Sequence, residues 1–180
     1  MDSKKLTADE LNTLLPYAFS GELDYLRDVG HALTPGALVV MLGVGPGIMA
    51  LALLEGAQDE IALYGVDTGN FTATLHLEAA GNAEKLIPIV ERSWDAAEPF
   101  TNNTVDLLIV DACHEYKCVR RDINAWLPKV RSGGVIFFRD YVVQKRDAPN
   151  NGVRKAVERA REKLGEEMTR VGCSIVFRKA

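Results

Sequence analysis

The chain is poor in the features that would commit it to a membrane, a nucleic acid or an oxidising compartment. It holds three cysteines in 180 residues. Cys113, Cys118 and Cys173 are odd in number and irregularly spaced, which excludes a disulfide framework and points to a reduced, cytoplasmic protein. Cys113-His114 and Cys118 lack the second cysteine pair of a zinc motif, so zinc is not expected. Positive charge is in deficit: 21 Lys and Arg against 25 Asp and Glu leave a net charge of -4. That balance gives no support for a nucleic-acid partner. No apolar run is long enough to cross a bilayer, so no membrane partner is expected. The opening residues, MDSKKLTADEL, are charged and lack the apolar segment of a secretory leader. Repeats, low-complexity segments and an interdomain linker are also missing.

What remains is an ordinary globular composition, 47% hydrophobic and 26% charged. It suits one domain with a three-layer core. The chain is organised around Leu38 to Asp67, LVVMLGVGPGIMALALLEGAQDEIALYGVD. Leu38 to Leu42 reads as a buried strand. Gly43, Gly45 and Gly47 follow at alternate positions, then a helix from Ile48 to Leu54 closed by Gly56. Ile61 to Val66 reads as a second strand, with Asp67 at its tip. Glycines allow a sharp turn and a close approach to the main chain. The helix start offers free N–H groups. The acid, about 20 residues after the turn, is placed to accept ribose hydroxyls. The unit therefore points to a nucleoside-containing cofactor.

The rest follows in order. Thr7 to Glu10 forms a capping box, so a helix starts near Ala8, with Leu11, Leu14, Leu15 and Ala18 on one face and Ser20-Gly21 as its break. A second helix runs from about Glu22 to Ala32. Residues 1–35 make a helical cap and 36–180 the core. A helix precedes Gly81-Asn82, and Leu86 to Val90 is a third strand, ending in Glu91-Arg92-Ser93-Trp94. Val105 to Asp111 is the fourth strand and Val119 to Leu127 a helix. Arg131 to Gly134 reads as a tight turn into a fifth strand, Val135 to Phe138. Asn150 to Gly152 opens a patterned helix through Leu164. Met168 to Val171 and Cys173 to Phe177 close the chain as an antiparallel pair. Alternating strands and helices predict an α/β, Rossmann-like three-layer sandwich. Its seven-stranded sheet is mostly parallel with an antiparallel C-terminal strand, and helices lie N-terminal to it.

In an open parallel sheet, ligands sit beyond the carboxyl ends of the strands. Gly43 to Gly47, Asp67, Ser93, Asp111 to His114 and Asp140-Tyr141 each follow an apolar strand. Their clustering is the strongest functional signal in the sequence.

The Gly-x-Gly-x-Gly turn resembles the first motif of class I S-adenosylmethionine (SAM)-dependent methyltransferases. The segment VDLLIVDACHEYKCVRRDINAWLPKVRSGGVIFFRDY, Val105 to Tyr141, extends the resemblance. It looks like the D-x-x-H-x-Y, D-x-x-x-W-L-P and G-G-x-x-x-x-x-D-Y pattern of small-molecule methyltransferases, with Asp111, His114, Tyr116, Asp122, Trp126, Gly133, Gly134, Asp140 and Tyr141 in place. The resemblance covers about Leu38 to Val157. It implies that Gly43, Gly45 and Gly47 cradle the methionine part of SAM, that Asp67 binds its ribose, and that Ser93 and Trp94 line its adenine. Asp111 would face the methyl donor and a small-molecule acceptor, and His114 is the general-base candidate. Some relatives bind magnesium at these strand tips, where Asp111 and Asp140 would be ligands. Homodimer formation is left open.

Three positions depart from the family pattern. Met41 stands where an acid commonly precedes the first glycine, leaving Glu22 or Asp111 as substitutes. Arg139 stands where histidine is common, and Tyr141 where a metal site would carry asparagine. Met41 and Arg139 keep a second reading open, a catalytically silent methyltransferase-like binding or assembly domain. The third reading is an NAD-dependent oxidoreductase, against which stands Ile48 at the place of a third fingerprint glycine. Acceptor choice is assigned to the N-terminal helices and to Val142 to Asn151, where Lys145 and Arg146, with Arg154, would attract an acidic acceptor.

Overall fold

The computed structural model describes residues 5–58, 60–69, 72–142 and 152–180. Lys145, Arg146 and most of the Val142 to Asn151 segment lie outside the described residues. The strands are β1 (Leu38–Leu42), β2 (Ala62–Asp67), β3 (Leu86–Val90), β4 (Val105–Val110), β5 (Val130–Phe138), β6 (Glu166–Val171) and β7 (Ser174–Arg178). They form one seven-stranded sheet in the order β3-β2-β1-β4-β5-β7-β6. Strands β1 to β5 pair in parallel, and β7 runs antiparallel to both β5 and β6. The helices are α1 (Ala8–Leu14), α2 (Glu22–Ala32), α3 (Ile48–Gly56), α4 (Thr72–Ala79), α5 (Tyr116–Trp126) and α6 (Gly152–Leu164).

Alternation along the strands makes two cores. Val39 and Met41 face the layer of α1, α2 and α3, while Val40 and Leu42 face α5 and α6. This is the three-layer arrangement expected of a parallel sheet. Helix α3 is buried from Ile48 to Leu54. A helix apolar all round has no side to offer water, and it lies between the sheet and α2.

Two expectations are corrected. The capping box forms, with Thr7 Oγ1 accepting from Glu10 N and the Glu10 carboxylate from Thr7 N. Helix α1 nevertheless ends at Leu14, short of the Ser20-Gly21 break. Its apolar face is Ala8 and Leu11 alone, with Leu14 71% and Leu15 43% exposed. Asn12 competes for the chain that follows: its Oδ1 accepts from Tyr17 N at 2.9 Å and Ala18 N at 2.8 Å, and its Nδ2 donates to Ala18 O at 3.2 Å. An asparagine side chain that caps the backbone in this way replaces the helical ladder. The second correction concerns Arg131 to Gly134, which lies inside β5. The pairing slips from Val105↔Val130 to Leu107↔Val135, an irregularity that absorbs the extra residues without ending the strand.

Among the described residues, no helix is long and apolar enough to cross a membrane.

Candidate active site

The tips of β1, β2 and β4, with the loop after β3, surround a cavity of about 480 Å³. Gly43, Gly45, Asp67, Ser93, Trp94 and Asp111 line it, joined by Tyr17, Arg92 and Cys118. A wider groove, about 720 Å³, runs between α5 and α6 and carries none of the strand-tip groups. The smaller of these two is the candidate site, because it sits at the carboxyl ends of the strands.

The glycine turn works by absence. At Gly43 φ is +78°, and a Cβ there would stand 2.2 Å from the Asp111 carbonyl oxygen, so only glycine lets the β1 and β4 loops meet. At Gly45 a Cβ would press on the Tyr17 hydroxyl at 2.9 Å. Asp67 fixes the same turn. Its Oδ2 accepts from Val44 N at 3.1 Å and Gly45 N at 3.5 Å, and its Oδ1 from Gly69 N at 3.3 Å. Met41 is buried in the helix-side core and does not line the cavity.

Ser93 lines the cavity with its hydroxyl turned inward, donating to Asp122 Oδ1 at 2.5 Å. Its carbonyl accepts from Trp126 Nε1 at 2.6 Å. Asp122 and Trp126 of the D-x-x-x-W-L-P motif thus hold the loop after β3 from below. Asp122 is fully buried, its Oδ2 accepts no hydrogen bond among the described residues, and burial pushes its pKa up to about 6 against the pull of Ser93. Trp94 is half-buried, with the Arg121 guanidinium 5.0 Å from its ring centroid.

The tips of β4 and β5 carry the charged groups. Asp111 is buried and accepts from Tyr17 Oη at 2.7 Å. Arg139 Nη1 donates to both of its oxygens at 3.2 Å. His114, half exposed, holds Nε2 3.3 Å from Asp140 Oδ2 and 3.7 Å from Asp111 Oδ1. Hydrogen bonding to the Asp111 carboxylate is the largest cause of a His114 pKa above the usual 6.5, and the charges of Asp140 and Asp111 add to it; burial and the Arg139 charge oppose the rise. Asp140 sits at φ 56°, in the left-handed region that a non-glycine residue rarely adopts, and this turns its carboxylate toward the histidine. Tyr141 is core: it is buried and donates its hydroxyl to Glu158.

Asp111, His114 and Asp140 bring one ligand atom each within 4.8 Å of the others, as a metal site requires. A guanidinium already stands among them, 3.8 Å from Asp140 Oδ2 as well as 3.2 Å from Asp111. The residues present therefore do not fit a divalent ion, and no step is routed through one. Glu22 is not at the cavity either. It is fully buried, its oxygens accepting from Phe19 N, Cys173 N and Ser174 Oγ. Tyr17 is the residue that sequence reasoning missed. It carries no motif, and only the Asn12 turn brings it to Asp111. His76 is structural, its Nδ1 2.7 Å from Pro46 O.

The sequence matches the family described as "Methyltransferase domain" over residues 40–141. No curated protein matches it. Three similar solved structures define the likeness of fold. A protein from Corynebacterium glutamicum gives a TM-score of 0.77 at 18% identity, covering 96% of this chain and 88% of that one. A SAM-dependent O-methyltransferase from Thermotoga maritima gives 0.71 at 13% identity, covering 97% and 71%. The O-methyltransferase TomG from Streptomyces achromogenes, involved in tomaymycin synthesis and solved in complex with SAM, gives 0.64 at 15% identity, covering 100% of both chains.

Proposed function

The chain belongs to the methyltransferase-domain family, and from that premise we propose that it transfers a methyl group from SAM to a small-molecule acceptor. The observation that carries this reading is the convergence of Gly43, Gly45, Asp67, Trp94 and Asp111 on one cavity at the strand tips. The residues there fit the cofactor. Two glycines leave the main chain open to close approach, a carboxylate stands at the tip of β2 for ribose hydroxyls, and an aromatic ring borders the cavity for the base. Ser93 serves this base indirectly, since its hydroxyl is committed to Asp122.

SAM supplies an electrophilic methyl group on a sulfonium. The chain's own part is alignment, exclusion of water and handling of one proton. Asp111 is fixed in place by Tyr17 and Arg139 and marks the acceptor side of the cavity. His114 is the base for a hydroxyl acceptor. With Nε2–H directed at Asp140, the lone pair on Nδ1 takes the acceptor proton, and the two carboxylates stabilise the charged ring.

Calorimetric titration of the purified protein with SAM, S-adenosylhomocysteine and NAD in parallel tests the reading. Binding of the first two on the order of micromolar, with none of NAD, is the expected result. Absence of binding by all three would move the silent-domain reading to first place.

A further inference from the structure

We propose that the Arg139 guanidinium is the resident cation of this site, occupying the position between Asp111 and Asp140 that a divalent metal would need, so that methyl transfer here is metal-independent. The inference rests on the methyltransferase reading for its reaction, but its structural part stands on Arg139 and the carboxylates alone.

The guanidinium is buried among acids and an aromatic ring. Nη1 faces both oxygens of Asp111 at 3.2 Å and Asp140 Oδ2 at 3.8 Å. Nε lies 3.7 Å from Glu22 Oε2, and Nη2 donates to the Tyr17 carbonyl. The Tyr17 ring covers one face, its centroid 4.1 Å from the guanidinium carbon. Arg139 is 5% exposed. Burial works against its charge, and the attraction of Asp111, Asp140, Tyr17 and Glu22 outweighs it, so the group stays protonated. A planar fork with fixed donors suits this task better than a point charge would.

A hard divalent ion binds carboxylate oxygens at about 2.0–2.6 Å and asks for several oxygen ligands. At Asp111 both oxygens are already hydrogen-bonded, one of them also to Tyr17. An ion placed there would lie against a buried positive charge with little water to screen it. Tyr141 supplies no oxygen, because its hydroxyl is turned to Glu158. Arg139 therefore does two things that a metal would otherwise do. It neutralises the paired acids, and it fixes Asp111 relative to the cavity. It is buried behind Asp111, so it is a positioning residue and does not touch the acceptor.

The test is Mn²⁺ titration of the full chain, followed by the loss of the free-ion electron paramagnetic resonance signal, with SAM calorimetry run on the same samples with and without chelator. Wild type should show no saturable Mn²⁺ site, and its SAM affinity should be indifferent to chelator. A folded Arg139→Ser variant should gain a Mn²⁺ site, at least about tenfold tighter than any binding to wild type, and Asp140→Asn in that background should abolish it. A saturable wild-type Mn²⁺ site lost in Asp140→Asn would overturn the proposal, as would a folded Arg139→Ser that gains none. If Arg139→Ser fails to fold, Arg139→His replaces it and is read the same way. Failure of SAM to bind, with the Mn²⁺ results as expected, would overturn the methyltransferase reading and leave the placement of the cation standing.

Discussion

The Tyr17 hydroxyl donates to Asp111 Oδ2 at 2.7 Å, joining positions 94 apart in sequence. The pair ties the segment after α1 to the tip of β4 and sets the tyrosine against the glycine turn. Burial, then the negative charge of Asp111, raise the Tyr17 pKa, so the phenol remains a neutral donor across the working pH range. Tyr17→Phe should weaken SAM binding by about 3- to 10-fold, the scale of one hydrogen bond of about 0.5–1.5 kcal/mol. Calorimetry reads the change directly, and an unaltered affinity would leave Tyr17 a packing residue only.

Asp67 has two jobs, holding the glycine turn and facing the cavity. Asp67→Ala should weaken SAM binding by about 1–3 kcal/mol, the loss expected for a removed hydrogen-bonding carboxylate. A thermal melt should show a lower Tm as well, because Val44 N and Gly45 N lose their acceptor. A lowered Tm with full SAM affinity would confine Asp67 to the turn.

His114 carries a pH signature. Its pKa is raised above 6.5, chiefly by Asp111 and then Asp140, with Arg139 opposing. As a base it must be neutral, so turnover with a hydroxyl acceptor should climb as pH rises through that raised pKa. The linked stability runs the other way: the protonated ring's attraction to the two acids is fully present below the unfolded-state pKa and is lost as pH rises through the folded one. His114→Gln should lower turnover by about 10²–10⁴-fold and flatten the pH limb. A variant with the wild-type profile would show that another group is the base.

Asp122 gives the opposite sign to the usual carboxylate. Its folded pKa is pushed up to about 6 by burial, from an ordinary value of 3.8. The folded state therefore holds its proton more tightly than the unfolded chain does, and stability falls as pH rises between those values. Ionisation of this one group should remove on the order of 2–3 kcal/mol between pH 4 and pH 7. Chemical denaturation at both values should show a smaller decline for Asp122→Asn than for wild type. Equal declines would place the Asp122 proton elsewhere.

Much of this was legible in the sequence. Leu38 to Leu42 declares itself as a strand, because buried parallel strands are unbroken apolar runs between turn residues; Leu86 to Val90 carries the same run at the sheet edge, where Ile87 and Val90 are exposed. The acids Asp67 and Asp111, at the tips of β2 and β4, follow from the same rule. What the pattern concealed was tertiary. Gly133-Gly134 carries the chemistry of a turn, yet Val130 pairs with Val105 before it, so β5 continues through. Asp122 and Trp126 stand out as motif residues, but nothing local says that they hold Ser93. Arg139 reads as a departure from a pattern until Asp111, Asp140, Glu22 and Tyr17 are seen around it. Tyr17 has no periodic signature at all; its place is set by the Asn12 side chain and by Asp111 and Arg139 at the tips of β4 and β5.

The Glu22 carboxylate accepts from Cys173 N and Ser174 Oγ, which follow it by 151 and 152 positions. During synthesis the amino-terminal helices leave the ribosome long before these partners exist. Chains fold from the amino end as they emerge, and contacts between distant positions form late. Until β7 is made, Glu22 has no strand to receive it. The nascent chain can assemble β1 to β4 around the glycine turn, but Glu22 reaches its Cys173 and Ser174 partners only after β7 has emerged.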